Sequence, residues 1–279
     1  MDFSEFIPKV NFELIPINNL VSNQEYQRNL SAFHIRRIAE NFDLYQINPV
    51  RVSRRDGMNN VFNGQHTIET VAYVSGSRDT PVWCMVYNDL DYKTEADIFA
   101  KQQKYNRALS AYDIFKAGIE AGNDEELFIK SIVEDYGFTI SYKKTAGTIT
   151  AVGTLGFIFQ NYGYQTLDRT LRLCFGAWEG DSNSLTANVL RGIMFLIVAF
   201  GDDLRDDLFK EKVGSLSLRD LGRTAAERKG GALGYAETML MAYNSKMRNP
   251  LPQAALYLKK KNAPKGIIDI SETKETENE

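Results

Sequence analysis

The stretch Asn63-Gly64-Gln65-His66-Thr67 carries residue types that could hold an anion. A strand pattern over Asn60 to Phe62 breaks at Gly64, and a helix pattern through Ile68, Val71 and Ala72 begins just after it. A glycine bend at a helix start presents backbone N–H groups that have no intrahelical partner, and the helix dipole adds to their pull on negative charge. His66, one of two histidines in the chain, falls in the first helical turn. There its ring and the Thr67 hydroxyl would add donors to a bound phosphate. The same five residues also suit an ordinary glycine turn with His66 packed locally, so the elements around them must decide.

Those elements read as a short alternating unit. Phe12, Leu14, Ile15, Ile17 and Leu20, interrupted by Pro16, suit a short strand and a structured loop closed by Tyr26-Gln27-Arg28. Ser31 caps a predicted helix whose apolar face is Phe33, Ile35, Ile38, Ala39 and Phe42, with His34 a surface or packing histidine. Pro49-Val50-Arg51-Val52 starts a strand, and Asp56-Gly57 predicts a hairpin turn into the arm that ends at Gly64. The following helix runs to about Ser75 with Gly76 as its C-cap, and Pro81 to Tyr87 is a further strand. From about Tyr92 the period becomes helical. Helices are expected over 93–106, after the Ser110 cap, after Gly122-Asn123-Asp124, over 148–162, over 166–178 and over 185–200, followed by shorter ones.

Composition bounds the chemistry. A chain of 279 residues suits one large or two medium domains, and a net charge of -3 provides no global basic field. Any nucleic-acid contact must therefore come from a local patch. Cys84 and Cys174 lie far apart in apolar runs, as buried thiols in a reducing compartment do. No stretch approaches the roughly 20 apolar residues of a membrane span. The start lacks a basic segment followed by an apolar one, so the expectation is a cytoplasmic protein with no membrane partner.

Taken in order, Leu14-x-x-Ile17-x-x-Leu20, Asn23-x-x-Tyr26-Gln27-Arg28, the helix with Ile35, Ile38 and Ala39, Asn48-Pro49-Val50-x-Val52 and Gly64-Gln65-His66 form a set. That set resembles the ParB/sulfiredoxin superfamily, the N-terminal domain of partition proteins and of ParB-like proteins from phages and mobile elements. Tyr105-Asn106-Arg107-Ala108-Leu109-Ser110 looks like a shortened form of the segment that links that domain to helices. The resemblance implies an α+β protein: a small ParB/sulfiredoxin-like α/β domain over 1–108, a larger all-helical domain over 109–262 with a helix-turn-helix candidate, and a disordered tail over 263–279.

It also implies a nucleotide site for CTP or ATP with Mg²⁺. Carried over by residue, Gly64, Gln65, His66 and Thr67 would meet phosphate, Arg28 would face the same pocket, and Gln103, Lys104, Asn106 and Arg107 are further nucleotide- or phosphate-binding candidates. Thr67 stands where many relatives have arginine, and Gln103-Lys104 where partition proteins have a Glu-Asn pair that helps hold magnesium. Both departures favour binding over turnover, leaving at most a weak NTPase. Sulfiredoxin chemistry needs a cysteine where this chain has Gln65.

In such proteins the helical part commonly reads DNA. Here the helix-turn-helix candidate is Gly137 to Tyr162, with Lys143 and Lys144 ahead of a helix that offers Thr148, Thr150, Thr154, Gln160 and Asn161. Arg169 and Arg172 are candidate phosphate contacts on the next helix, and a homodimer is compatible with the family. Two alternatives use the same fold. One is an ATP-dependent phosphotransferase, with Glu25 and Glu69 as candidate bases, or a nuclease, for which no metal-ligand spacing is seen. The other is a non-catalytic protein-binding or inhibitory module.

Overall fold

The structure is a computed structural model that describes residues 7, 9–22, 27, 29–88, 90–105 and 108–258, the side chains of 103–105 excepted. The chain divides into two compact units, 1–108 and 109–279. The protein is α+β, with a mixed sheet and three helices in the first unit and helices dominating the second.

In the first unit the elements run β1 (Val10–Pro16), a 3-10 turn at Ile17–Asn19, β2 (Leu20–Ser22), α1 (Ala32–Glu40), a second 3-10 turn at Leu44–Gln46, β3 (Val50–Arg55), β4 (Met58–Asn63), α2 (Gln65–Ser75), β5 (Pro81–Tyr87) and α3 (Tyr92–Tyr105). The sheet order is β1-β5-β3-β4-β2, with β1 antiparallel to β5, β5 parallel to β3, β3 antiparallel to β4 and β4 parallel to β2. Asp56 and Gly57 both take positive φ, 53° and 72°, the two-residue turn whose twist matches a hairpin. One sheet face buries Val50, Val52, Val61, Val82 and Val86 beneath Ile68 and Val71 of α2. Alternation puts Arg51, Ser53 and Arg55 on the other face. There α3 is fixed at one end by Arg55, which bonds the fully buried Glu95 at 2.8 Å and lies 5.7 Å from the Tyr92 ring centroid.

α1 forms with its Ser31 cap, whose hydroxyl accepts from the His34 N–H at 3.2 Å. The apolar face expected for it does not become core: no α1 residue is buried, and Phe33 is 77% exposed. The helix leans on α2, which already covers that side of the sheet.

The second unit contains α4 (Ala111–Glu120), α5 (Asp124–Asp135), β6 (Thr139–Ile140), β7 (Thr148–Ile149), α6 (Val152–Tyr162), α7 (Tyr164–Trp178), α8 (Ala187–Phe200), α9 (Asp206–Gly214), α10 (Leu218–Arg228) and α11 (Gly231–Asn244), then a 3-10 turn at Gln253–Tyr257. Its core is built around α8, whose Leu190, Ile193, Met194 and Leu196 are fully buried. Ser110 caps α4 in a reciprocal box with Asp113.

Two expectations are corrected here. The helical part is not wholly helical, because β6 and β7 form a short parallel ladder. The helix expected from Thr148 begins at Val152 instead, since the Thr148 hydroxyl closes the preceding loop, donating to Thr145 O at 2.7 Å and accepting from Thr145 N–H at 2.8 Å. The β-branched run Thr148-Ile149-Thr150 favours that extended start. The Lys259-Lys260-Lys261 cluster and the tail over 263–279 lie outside the described residues.

Candidate functional site

Gly64 is the N-cap of α2 at φ 107°, ψ 15°, a conformation that side-chain-bearing residues rarely adopt. A Cβ placed there would lie 3.3 Å from Val50 Cα and from both Val50 Cγ atoms, so the turn needs glycine for its space as well as its dihedral. As glycine, the N-cap has no side chain of its own to bond the first N–H groups. The first N–H groups of α2 therefore point out of the end of the sheet, beyond the last residue of β4.

The pairing of β3 with β4 is irregular just before the turn: Val52 faces Val61 but Arg51 faces Asn63, so Phe62 and Asn63 together oppose Arg51. Such a bulge re-aims side chains. Here it turns Asn63 away from α2 and toward α3, where its amide donates to Gln102 Oε1 at 3.0 Å. That bond ties the C-terminal turns of α3 to the Gly64 turn.

On the opposite side, between α1, the 3-10 turn at Leu44–Gln46 and α2, lies a cleft of about 200 Å³. Phe42, Ile47 and Val71 give it apolar walls, and Asp43, Gln46, His66, Thr67 and Thr70 give it polar groups. Thr70 is 3% exposed, and its hydroxyl is buried with no hydrogen-bond partner. Such a group carries an uncompensated desolvation cost, which a bound ligand would relieve. The two histidines meet at the rim, the His34 and His66 rings lying edge to face at 5.3 Å and 80°.

Among the sequence candidates, Gly64, Gln65, His66 and Thr67 thus share one turn. Glu69, one helical turn on, is held by the Arg78 guanidinium at 2.9 to 3.1 Å, an ion pair that gives it a structural partner. Arg28, Glu25, Asn106 and Arg107 lie outside the described residues, as do the side chains of Gln103 and Lys104 in α3. The described donors at the turn are amide, hydroxyl and imidazole groups, a set that does not fit Mg²⁺, so no ion-binding role is assigned to them.

A family model described as "Family of unknown function (DUF6551)" matches residues 21–256. The chain belongs to that family. No curated protein matches it. A crystal structure of the C-terminally truncated chromosome-partitioning protein ParB from Caulobacter crescentus, complexed with CTP-gamma-S, is similar at a TM-score of 0.35 and 13% identity, over 82% of this chain and 99% of that one. A likeness of that size carries no argument, and the site of the DUF6551 chain rests on its own geometry.

In the helical unit of this DUF6551 chain, the basic candidates have different surroundings. Lys143 lies 5.7 Å from the Tyr142 ring centroid, and Lys144 Nζ donates to Asn183 Oδ1 at 2.8 Å in an exposed loop. Arg169, with a side chain 17% exposed, bonds Asp206 at 2.8 and 2.9 Å and donates to the carbonyls of Gly201 and Leu204. It thus ties the end of α8 to the start of α9. Arg172 pairs with Asp206 at 3.3 Å and Asp168 at 3.8 Å. On α6, Thr154 is buried, while the exposed Gln160 donates to Glu125 and the exposed Asn161 to the Phe157 carbonyl.

Two residues and one contact that matter here were not singled out from the sequence: Thr70, Arg51 and the meeting of His34 with His66. Thr70 had a signal, since it follows His66 by four residues and so shares its helix face. Arg51 had one too, as the polar residue between Val50 and Val52. The meeting of the histidines had none.

Proposed function

We propose that this protein binds a nucleoside triphosphate, CTP or ATP, with the phosphates on the Gly64 turn and the base and ribose in the adjoining cleft. The observation that carries the reading is the buried, unpartnered Thr70 hydroxyl lining a cleft that opens beside the glycine-started helix α2. The chemistry divides along the site. Asp43 in the cleft would repel phosphate but accept hydrogen bonds from a ribose or an exocyclic amine. The turn offers backbone N–H groups, the His66 ring and the Thr67 hydroxyl, which suit oxygen anions. The motif order that resembles the ParB/sulfiredoxin superfamily supports the same assignment. Glu69, the described carboxylate candidate on α2, is committed to Arg78, so binding is proposed and turnover is not. The role that fits is a nucleotide-responsive one, in which ligation at the turn biases what the helical unit does. Contact with DNA is part of the proposal, and the exposed Lys143-Lys144 loop is the described surface it would use.

The test is a thermal-shift and calorimetric panel of CTP, ATP, GTP and UTP with and without Mg²⁺, run on wild type and Thr70→Val. Valine removes the unsatisfied hydroxyl, so the free protein should gain about 1 kcal/mol, while nucleotide affinity should fall. Stabilisation by ligand follows mass action, so the wild-type melting temperature should climb with nucleotide concentration. Absence of any shift or heat with all four nucleotides defeats the proposal. DNA contact is read separately, by a salt-dependent mobility shift lost in Lys143→Ala/Lys144→Ala.

A further inference from the structure

The strands of the sheet carry three arginines among the described residues, and two of them are neutralised. Arg54 forms a two-pronged pair with Glu13 at 2.7 and 3.0 Å, and Arg55 bonds Glu95 at 2.8 Å. Arg51 is half-buried like the other two, yet among the described residues no carboxylate is paired with it. A partly desolvated guanidinium without a counter-charge is a standing cost to the fold, and it is commonly kept for a negatively charged ligand.

Its position says which ligand. Arg51 faces Asn63 across the β3–β4 ladder, one residue before Gly64, and Gly64 packs on the backbone of Val50 beside it. The bulge turns Asn63 onto the same sheet face as Arg51, where Asn63 holds Gln102. Arg51, Asn63 and Gln102 therefore gather at the end of the sheet, on the α3 side of the turn, with the cleft on the α2 side. The residues that open α2, Gln65, His66 and Thr67, include no permanent cation.

We infer that Arg51 is the charge-reading residue of the site, engaging the terminal phosphates of a nucleotide whose base lies in the cleft and so selecting tri- and diphosphates over monophosphates. This rests on the nucleotide reading above and adds to it the residue that counts phosphates. A planar fork of donors suits two phosphate oxygens at once, which a histidine and a hydroxyl cannot do.

The experiment is isothermal titration of full-length wild type, Arg51→Met and Arg51→Lys with the tri-, di- and monophosphates of whichever base wild type binds. Methionine keeps much of the volume and removes the charge. Arg51→Met should lose about tenfold or more in triphosphate affinity, with little change for the monophosphate, so that the tri-to-mono ratio collapses. Arg51→Lys should restore part of the ratio at low salt and lose it at high salt. Because no carboxylate among the described residues pairs with Arg51, the ligand-free melting temperature of Arg51→Met should hold or rise, whereas a structural arginine would lower it. An unchanged tri-to-mono ratio in a folded Arg51→Met overturns this inference and leaves nucleotide binding standing. Absence of nucleotide binding by wild type overturns both.

Discussion

Replacing Gly64 by alanine probes the turn directly, because two separable penalties meet there. The first is backbone strain: at φ 107° an L-residue sits outside even the small left-handed well, at a cost of about 1–3 kcal/mol. The second is crowding, since the new methyl would lie 3.3 Å from three atoms of the fully buried Val50. Gly76, at φ 70° with nothing within 4 Å of an added Cβ, pays only the first. Gly64→Ala is therefore expected to cost about 2–3 kcal/mol and Gly76→Ala about 1 kcal/mol, the difference being the close approach. The readout can be confined to the first unit. Trp83 lies in the sheet and Trp178 in α7, so a Trp178→Phe background leaves one reporter in the first unit for urea unfolding. A shift in urea midpoint at unchanged slope reads the cost. If Gly64→Ala were no more destabilised than Gly76→Ala, the packing of the turn on Val50 would be wrong, and with it the reason for glycine at this place.

Three further outcomes are expected. Arg55→Met removes the guanidinium bonded to the fully buried Glu95 carboxylate and should destabilise the first unit by about 3 kcal/mol, seen at Trp83; a loss below about 1 kcal/mol would show that this pair adds little to the fold. Arg169→Met removes bonds to Asp206 and to the carbonyls of Gly201 and Leu204, and should cost the second unit about 2–4 kcal/mol, read at Trp178 in a Trp83→Phe background. Burial raises the Cys84 thiol to about 11 and the Cys174 thiol to about 12. A thiol pKa raised in the folded state contributes stability that is complete below its ordinary value near 9.0 and is lost as pH climbs toward the folded values. Urea midpoints should thus fall from about pH 9 toward pH 11, the window these values open, less so in Cys84→Ala. Neither thiol should react with a disulfide reagent near pH 8 until urea unfolds the protein; rapid labelling of the native chain would contradict their burial.

Legibility in the sequence followed the range of the interaction. Asp56-Gly57, the helix from Gly64 to Gly76, the Ser31 and Ser110 caps and the strand over 81–87 were all readable, because each depends on dihedrals and hydrogen bonds within a few residues. The fold class was readable for the same reason, as a change of period from alternating to helical near Tyr92. The start of α6 was misplaced because Thr148 completes a loop bond to Thr145, a local choice that apolar spacing does not register. The apolar face of α1 was readable but its burial was not, since a stripe reveals amphipathicity but not what it faces, and α2 already covers that side of the sheet.

What the sequence determined by itself, then, is the turn: a glycine between a strand and a helix, followed by a histidine and a threonine. What only the tertiary structure decided is the company that turn keeps. The Thr70 hydroxyl is left without a partner by packing around the cleft, His34 reaches His66 from another helix, and a bulge aims Asn63 at Gln102, 39 residues away. Arg54 and Arg55 find carboxylates 41 and 40 residues distant, while Arg51 on the same strand finds none among the described residues. Residue type and spacing set which groups are present, but charge compensation and burial are long-range sums, and they exist only once the chain has folded.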